Sequence, residues 1–96
     1  MDLILRPAAA ADVEEAFSWY EHQRLGLGEE FLEAVDAALR EIVAYPLRQT
    51  AIFRDTRRLL LKRFPYAVFY RVYPSVIVVV ACMHGRRNPL RWKVRT

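Results

Sequence analysis

Apolar residues in the first half of the chain recur with the period of an α-helix. Ala9, Val13, Ala16, Phe17 and Tyr20 fall at i, i+4, i+7, i+8 and i+11 on an Ala-rich background, which predicts a first helix with a single apolar stripe. Trp19 lies off that stripe. Before it, Leu3-Ile4-Leu5 reads as a short strand ended by Arg6-Pro7, because proline has no ladder N–H and its fixed φ suits the first turn of a helix. Gly26-Leu27-Gly28 interrupts the period, and Glu29-Glu30 then sets negative charge where a new helix dipole favours it. Phe31, Val35, Ala38, Leu39, Ile42 and Tyr45 restore the spacing until Pro46 stops it. Two helices joined by a short loop make a helical hairpin.

From Arg57 the texture changes to β-branched and aromatic residues. Three strands are predicted, Arg57–Phe64, Tyr66–Tyr73 and Val76–His84, separated by Pro65 and by Pro74-Ser75. Connections this short form hairpins, so the pairing is antiparallel. In the last strand both alternating sets are apolar, Val76/Val78/Val80/Cys82 and Ile77/Val79/Ala81/Met83, as expected of an interior strand covered on both faces. The expectation is an α+β fold in the order β-α-α-β-β-β. A helical hairpin packs on an antiparallel-rich sheet, in one domain over residues 1–96.

Length agrees with one core: 96 residues leave no volume for a second. The single Cys82 permits no intrachain disulfide, and with only His22 and His84 beside it no standard four-ligand zinc site can form, so neither metal nor cofactor is expected. The longest apolar run, Val76 to Met83, is far short of the roughly 20 residues of a membrane helix. With no secretory leader evident, a cytoplasmic location is the default expectation. Charge is divided unevenly: residues 1–47 carry three bases against ten acids, net −7, and residues 48–96 carry twelve bases against one acid, net +11. Such asymmetry implies faces of opposite potential, the basic one suited to a polyanion or an acidic protein.

The basic excess is densest after the last strand. His84-Gly85-Arg86-Arg87-Asn88-Pro89 leads into Leu90-Arg91-Trp92-Lys93-Val94-Arg95, with five bases and no acid after His84. The tail is open to two conformations. An extended one puts Arg91, Lys93 and Arg95 on one side, and a short helix begun by Asn88-Pro89 is the other. A chain cut after Asn88 keeps both helices and the three main strands and is expected to fold. Cys82, between Ala81 and Met83, reads as core, and His22 falls on the solvent side of its helix. Basic residues interleaved with aromatics also suit nucleic acid, but no helix-turn-helix, zinc-finger or RNP pattern is present.

The string from Arg57 to Val72 with Arg63-Phe64-Pro65-Tyr66 inside it, followed by Val76 to His84, then Arg86-Arg87-Asn88-Pro89 and Trp92, resembles the RelE/ParE toxin superfamily on its ParE-like side. The resemblance extends over almost the whole chain. It implies the toxin of a type II toxin-antitoxin pair, bound by a small ParD-like antitoxin, with Trp19 and Tyr20 as antitoxin-binding candidates. For a ParE-like protein it implies inhibition of DNA gyrase without catalysis, for which Arg86, Arg87, Arg91, Trp92, Lys93 and Arg95 are the target-binding candidates. The RelE-like alternative is a ribosome-dependent mRNA endonuclease. That reaction needs a proton acceptor for the ribose 2′-OH, cations on the phosphate and an acid for the leaving oxygen. His84, Arg63 and Arg71 are the candidates, but the late Tyr or second His of many such nucleases is missing. An inactive, antitoxin-binding relative is the third reading.

Overall fold

In the computed structural model, which describes residues 1–86 and 88–96, the chain runs β1 (Asp2–Leu5), α1 (Pro7–Gln23), α2 (Leu27–Ala44), β2 (Ala51–Phe53), β3 (Thr56–Leu60), β4 (Tyr66–Val72), β5 (Val76–His84) and α3 (Leu90–Lys93). The sheet order is β1-β5-β4-β3-β2, with β1 parallel to β5 and the other pairings antiparallel. This is the expected α+β order with two additions, β2 and α3.

The helical hairpin is fastened where the two helices meet. Gly26, at φ 91°, takes the left-handed conformation that caps α2. The Glu21 carboxylate of α1 accepts from the N–H groups of Gly26 at 3.0 Å and Gly28 at 2.9 Å, satisfying donors that the first turn of α2 leaves free. Gly28 permits this approach, since a Cβ there would stand 2.8 Å from the Phe17 ring. The apolar stripes then face the sheet. Ala9, Ala16 and Tyr20 of α1 and Phe31, Val35, Ala38 and Ile42 of α2 pack with Val68, Tyr70, Ile77, Val79 and Cys82.

The opposite face of the sheet is covered by very little chain. Ala67, Phe69, Val78, Val80, Ala81 and Met83 lie under Trp92 of α3, whose ring stacks on Phe69 at 4.6 Å. Between the tail's two open conformations, the helical turn is the one adopted, and it brings Trp92 down onto the sheet.

Three details depart from the sequence reading. A bulge opposes Phe69 to Ala81 and Tyr70 to Val79, so Val80 is an extra residue and the alternation changes phase there. Cys82 therefore joins Ile77 and Val79 on the helix side, while Ala81 joins Val78 and Val80 on the other. The strand expected to reach Phe64 stops at Leu60, because the Leu61 N–H donates to the Tyr66 carbonyl at 2.8 Å and Arg63 turns the chain at φ 70°. Finally, β2 and β3 are joined by Arg54 and Asp55 with φ of 46° and 64°, the paired positive values of a tight hairpin turn without its usual Asn-Gly signature.

Candidate functional site

The architecture leaves one edge of β5 partly bare. β1 pairs with β5 only as far as Leu5 opposite Val79, and Arg6 adds a last N–H to the Val79 carbonyl at 3.0 Å before the chain turns into α1. Past that point β5 continues to His84 with no strand on that edge among the described residues. A groove of ≈ 880 Å³ opens there between α1 and the end of the sheet, lined by Trp19, Tyr20, Tyr66, His84, Arg86 and Arg91 among others.

At its inner end, side chains take the place of a strand. The Cys82 N–H donates to Asp12 Oδ2 at 3.0 Å, and Arg95 donates to the Val80 carbonyl at 3.2 Å. The two side chains also bind each other through paired contacts, Nη1 to Oδ2 at 2.6 Å and Nη2 to Oδ1 at 3.2 Å. Such a two-pronged guanidinium–carboxylate pair fixes direction as well as distance. Arg6 adds a bond to the Arg95 carbonyl at 2.6 Å, and Arg71 one to the Thr96 carbonyl at 3.3 Å, so the last two residues are tied down.

The two antitoxin-binding candidates fall into different settings. Trp19 stands 57% exposed at the lip of the groove. Tyr20 is buried, stacked on Phe31 at 5.2 Å and edge-on to Phe64 at 4.9 Å, and burial together with the neighbouring Tyr66 raises its hydroxyl pKa above the usual value.

The target-binding candidates are equally divided. Arg86 and Arg91 line the groove and have no acidic partner among the described residues. Lys93 lies 4.9 Å from the Phe53 ring centroid. Trp92, also a target-binding candidate, is 7% exposed and belongs to the core, and Arg95, another of them, is held by Asp12. Arg87 lies outside the described residues.

The nuclease candidates are not brought together. His84 pairs with Tyr66 and Arg71 with Val78, which puts them at opposite ends of β4, about 17 Å apart at about 3.3 Å per residue. Arg63 sits in the turn nearer His84, but its guanidinium binds Glu30 at 2.7 Å. The His84 Nδ1 accepts from the Arg86 N–H at 3.1 Å, an arrangement in which the proton of a neutral ring sits on Nε2. The other nitrogen is then a donor and not a base. Cys82 is equally inert, its thiol pushed up to about 12 by burial first and by the Asp12 carboxylate second. His22 is exposed, its Nδ1 beside the Ser18 carbonyl at 2.7 Å.

Sequence reasoning passed over Asp12, Glu15 and Tyr66, which also line the groove. Asp12 carries no local signal, because its partner Arg95 is 83 positions away.

A two-helix hairpin laid on a mostly antiparallel sheet, with a basic groove at one end, defines a class of small α+β proteins. The profile of the ParE toxin of type II toxin-antitoxin systems (parDE) matches residues 3–89, and the chain belongs to that family. Eleven solved chains are similar to it in structure. One, described as the chromosomal ParDE TA system from P. aeruginosa, superposes with a TM-score of 0.66 at 21% identity, over 88% of this chain and 95% of that one. At that identity the likeness establishes the fold. No curated protein matches the sequence. No helix among the described residues is long and apolar enough to cross a membrane.

Proposed function

We propose that this ParE-type toxin acts by inhibiting DNA gyrase through binding alone, in the cytoplasm, and that a small ParD-like antitoxin encoded with it neutralises it by direct contact. The observation that carries this reading is the dispersal of the groups a ribonuclease would need. Phosphoryl chemistry without a metal requires a base, an acid and a cation within hydrogen-bond reach of one phosphate. Arg71 is a strand's length from His84, Arg63 is engaged by Glu30, and the Nδ1 of His84 is taken by the Arg86 N–H. What the groove offers instead is surface: an exposed Trp19, the Tyr66 ring and the cations Arg86 and Arg91, which have no acidic partner among the described residues, a composition suited to an acidic protein segment.

The test is expression of the chain from a tight promoter, with DNA synthesis and translation followed separately and antitoxin co-expressed in a parallel culture. Replication should stop first, translation should continue, and the antitoxin should restore growth. An early translation block with cleaved mRNA, abolished by His84→Gln, would replace the gyrase reading with the nuclease one.

A further inference from the structure

The cations of this chain are held in place in two different ways. Arg24, Arg40, Arg48, Arg63 and Arg95 are each matched to a carboxylate. On the sheet face opposite the helical hairpin, aromatic rings take that role. Arg54 stands 5.2 Å and Lys93 4.9 Å from the Phe53 ring centroid, and Arg71 stands 5.7 Å from that of Tyr73. A ring attracts a cation through its quadrupole, so it fixes the position of the charge without cancelling it. The result is a band of oriented, unneutralised positive charge.

The register of the sheet puts this band on one face. Phe53 lies opposite Thr56, Thr56 opposite Arg71 and Arg71 opposite Val78, a row across four strands. Directly opposed residues project to the same side. That side is the one away from the helices, because Phe53 and Val78 pack with Trp92 there. Arg58, opposite Phe69, shares it, is exposed, and stands diagonally across the strand pair from Arg71, about 7–8 Å away at the backbone. Arg54, Arg58, Arg71 and Lys93 have no acidic partner among the described residues, and Asp55, beside Arg54 in the turn, forms no ion pair either. The exposed acids Glu14, Glu29, Glu33 and Asp36 belong to the helical layer on the far side of the sheet.

Such a band suits an evenly charged polyanion. Phe53 and Tyr73 already carry cations and Trp92 is 7% exposed, so an unpaired base finds no bare ring on which to stack. Contact with the phosphates of a duplex needs only cations spread over a rigid surface, with no base-reading motif. We propose that this face, through Arg54, Arg58, Arg71 and Lys93, binds the phosphate backbone of double-stranded DNA without regard to sequence. The proposal goes beyond the gyrase reading and uses a different surface from the groove.

Fluorescence anisotropy of the full chain with two labelled DNA duplexes of about 20 base pairs and unrelated sequence tests it. Both should bind equally, and log K should fall with log[salt] at a slope of about −3 to −4, as four phosphate contacts require. Between about 50 and 200 mM salt that is a loss on the order of a hundredfold. Arg54→Gln combined with Arg58→Gln, both exposed and unpaired, should make the slope shallower by about 2 and weaken binding by at least about tenfold at the lower salt, with thermal melting unchanged. Arg86→Gln combined with Arg91→Gln, in the groove, should change the slope by less than half as much. Absence of duplex binding at the lower salt, or a loss of binding in the groove variant instead of the band variant, would overturn the proposal. Equal or tighter binding of a single strand of the same length would do so as well, since it would mean stacking. Binding of a polyglutamate peptide but not of the duplexes would assign the face to an acidic protein and overturn it too. The gyrase reading survives each of these failures, because it is decided by the order in which replication and translation stop in the cell.

Discussion

The two faces of the sheet are covered by unlike means. One lies under α1 and α2, of 17 and 18 residues, whose apolar stripes bury a continuous core. The other lies under one helical turn, with a single Trp92 above Phe69 and the tail held by Arg95–Asp12, Arg6 and Arg71. Many weak apolar contacts shared along two helices tolerate the loss of one member. A cover made of one large ring and a few directed polar bonds does not. Stability on the second face is therefore concentrated in a few residues that lie far apart in sequence.

Trp92→Ala should give the largest loss, about 3–5 kcal/mol in urea unfolding, because it removes most of what covers Phe69, Ala81 and Met83. For the same reason a chain cut after Asn88, which the helix and strand pattern alone would tolerate, is expected to unfold: it loses Trp92 together with Arg95. Retention of a cooperative melt by the cut chain would show that the hairpin face suffices and would dissolve the contrast.

Asp12→Ala should follow at about 2–3 kcal/mol, since it strands the Arg95 guanidinium and the Cys82 N–H in a partly buried site. Arg95→Gln, which leaves the Asp12–Cys82 bond in place, should cost less. Equal losses in the two variants would mean that the ion pair alone matters. On the hairpin side, Gly28→Ala should cost about 1–2 kcal/mol through contacts with the Phe17 ring and the Glu21 carboxylate, a milder penalty because both are side chains, and Phe17 is only half-buried.

Smaller still is a pH effect at Glu30. Its carboxyl is held below the usual value, first by the hydrogen bond from Arg24 and then by that from Arg63. A carboxylate favoured in the folded state contributes stability above its unfolded pKa, about 4.3, and that contribution disappears as pH falls through the lower folded value. Melting temperature should thus fall more steeply on acidification in the parent than in Glu30→Gln, and the difference should shrink in high salt because both arginines are exposed. Parallel curves would mean that the turn holding Arg63 does not need Glu30. Trp19→Ala should leave stability within about 0.5 kcal/mol, yet weaken antitoxin binding by about 2 kcal/mol in calorimetry.

The same contrast decides what could be read from the sequence. Both helices, their break at Gly26 and the limits of β5 follow from periodicity and from Gly and Pro, because the hairpin face is built from local repeats. The second face escapes that method. In β5 every residue from Val76 to Met83 is apolar, so a bulge at Val80 changes the phase without changing the pattern. In the tail, Leu90, Trp92 and Val94 alternate as in a strand while Asn88-Pro89 suits the start of a helix, and the contact of Trp92 with the Phe69 ring goes with the helical turn. The groove was legible in part. Its arginines stand in an evident basic run, whereas its acidic wall comes from α1, where Asp12 is one acid among ten in its half of the chain.

The parallel pairing of β1 with β5 has a bearing on how the molecule is made. Asp2 lies opposite Val76, so the first strand synthesised has no neighbour until the last strand arrives. Contacts this distant in sequence form late, after the local hairpins, because a long loop must close before they give any return. The groove depends on that closure, for its edge is defined by where β1 departs from β5 and its inner end is sealed by a residue of the tail. While the chain is still being translated, the helical hairpin can form but the groove cannot. Whatever binds in the groove therefore meets a finished site only after the last strand and the tail have joined the first strand.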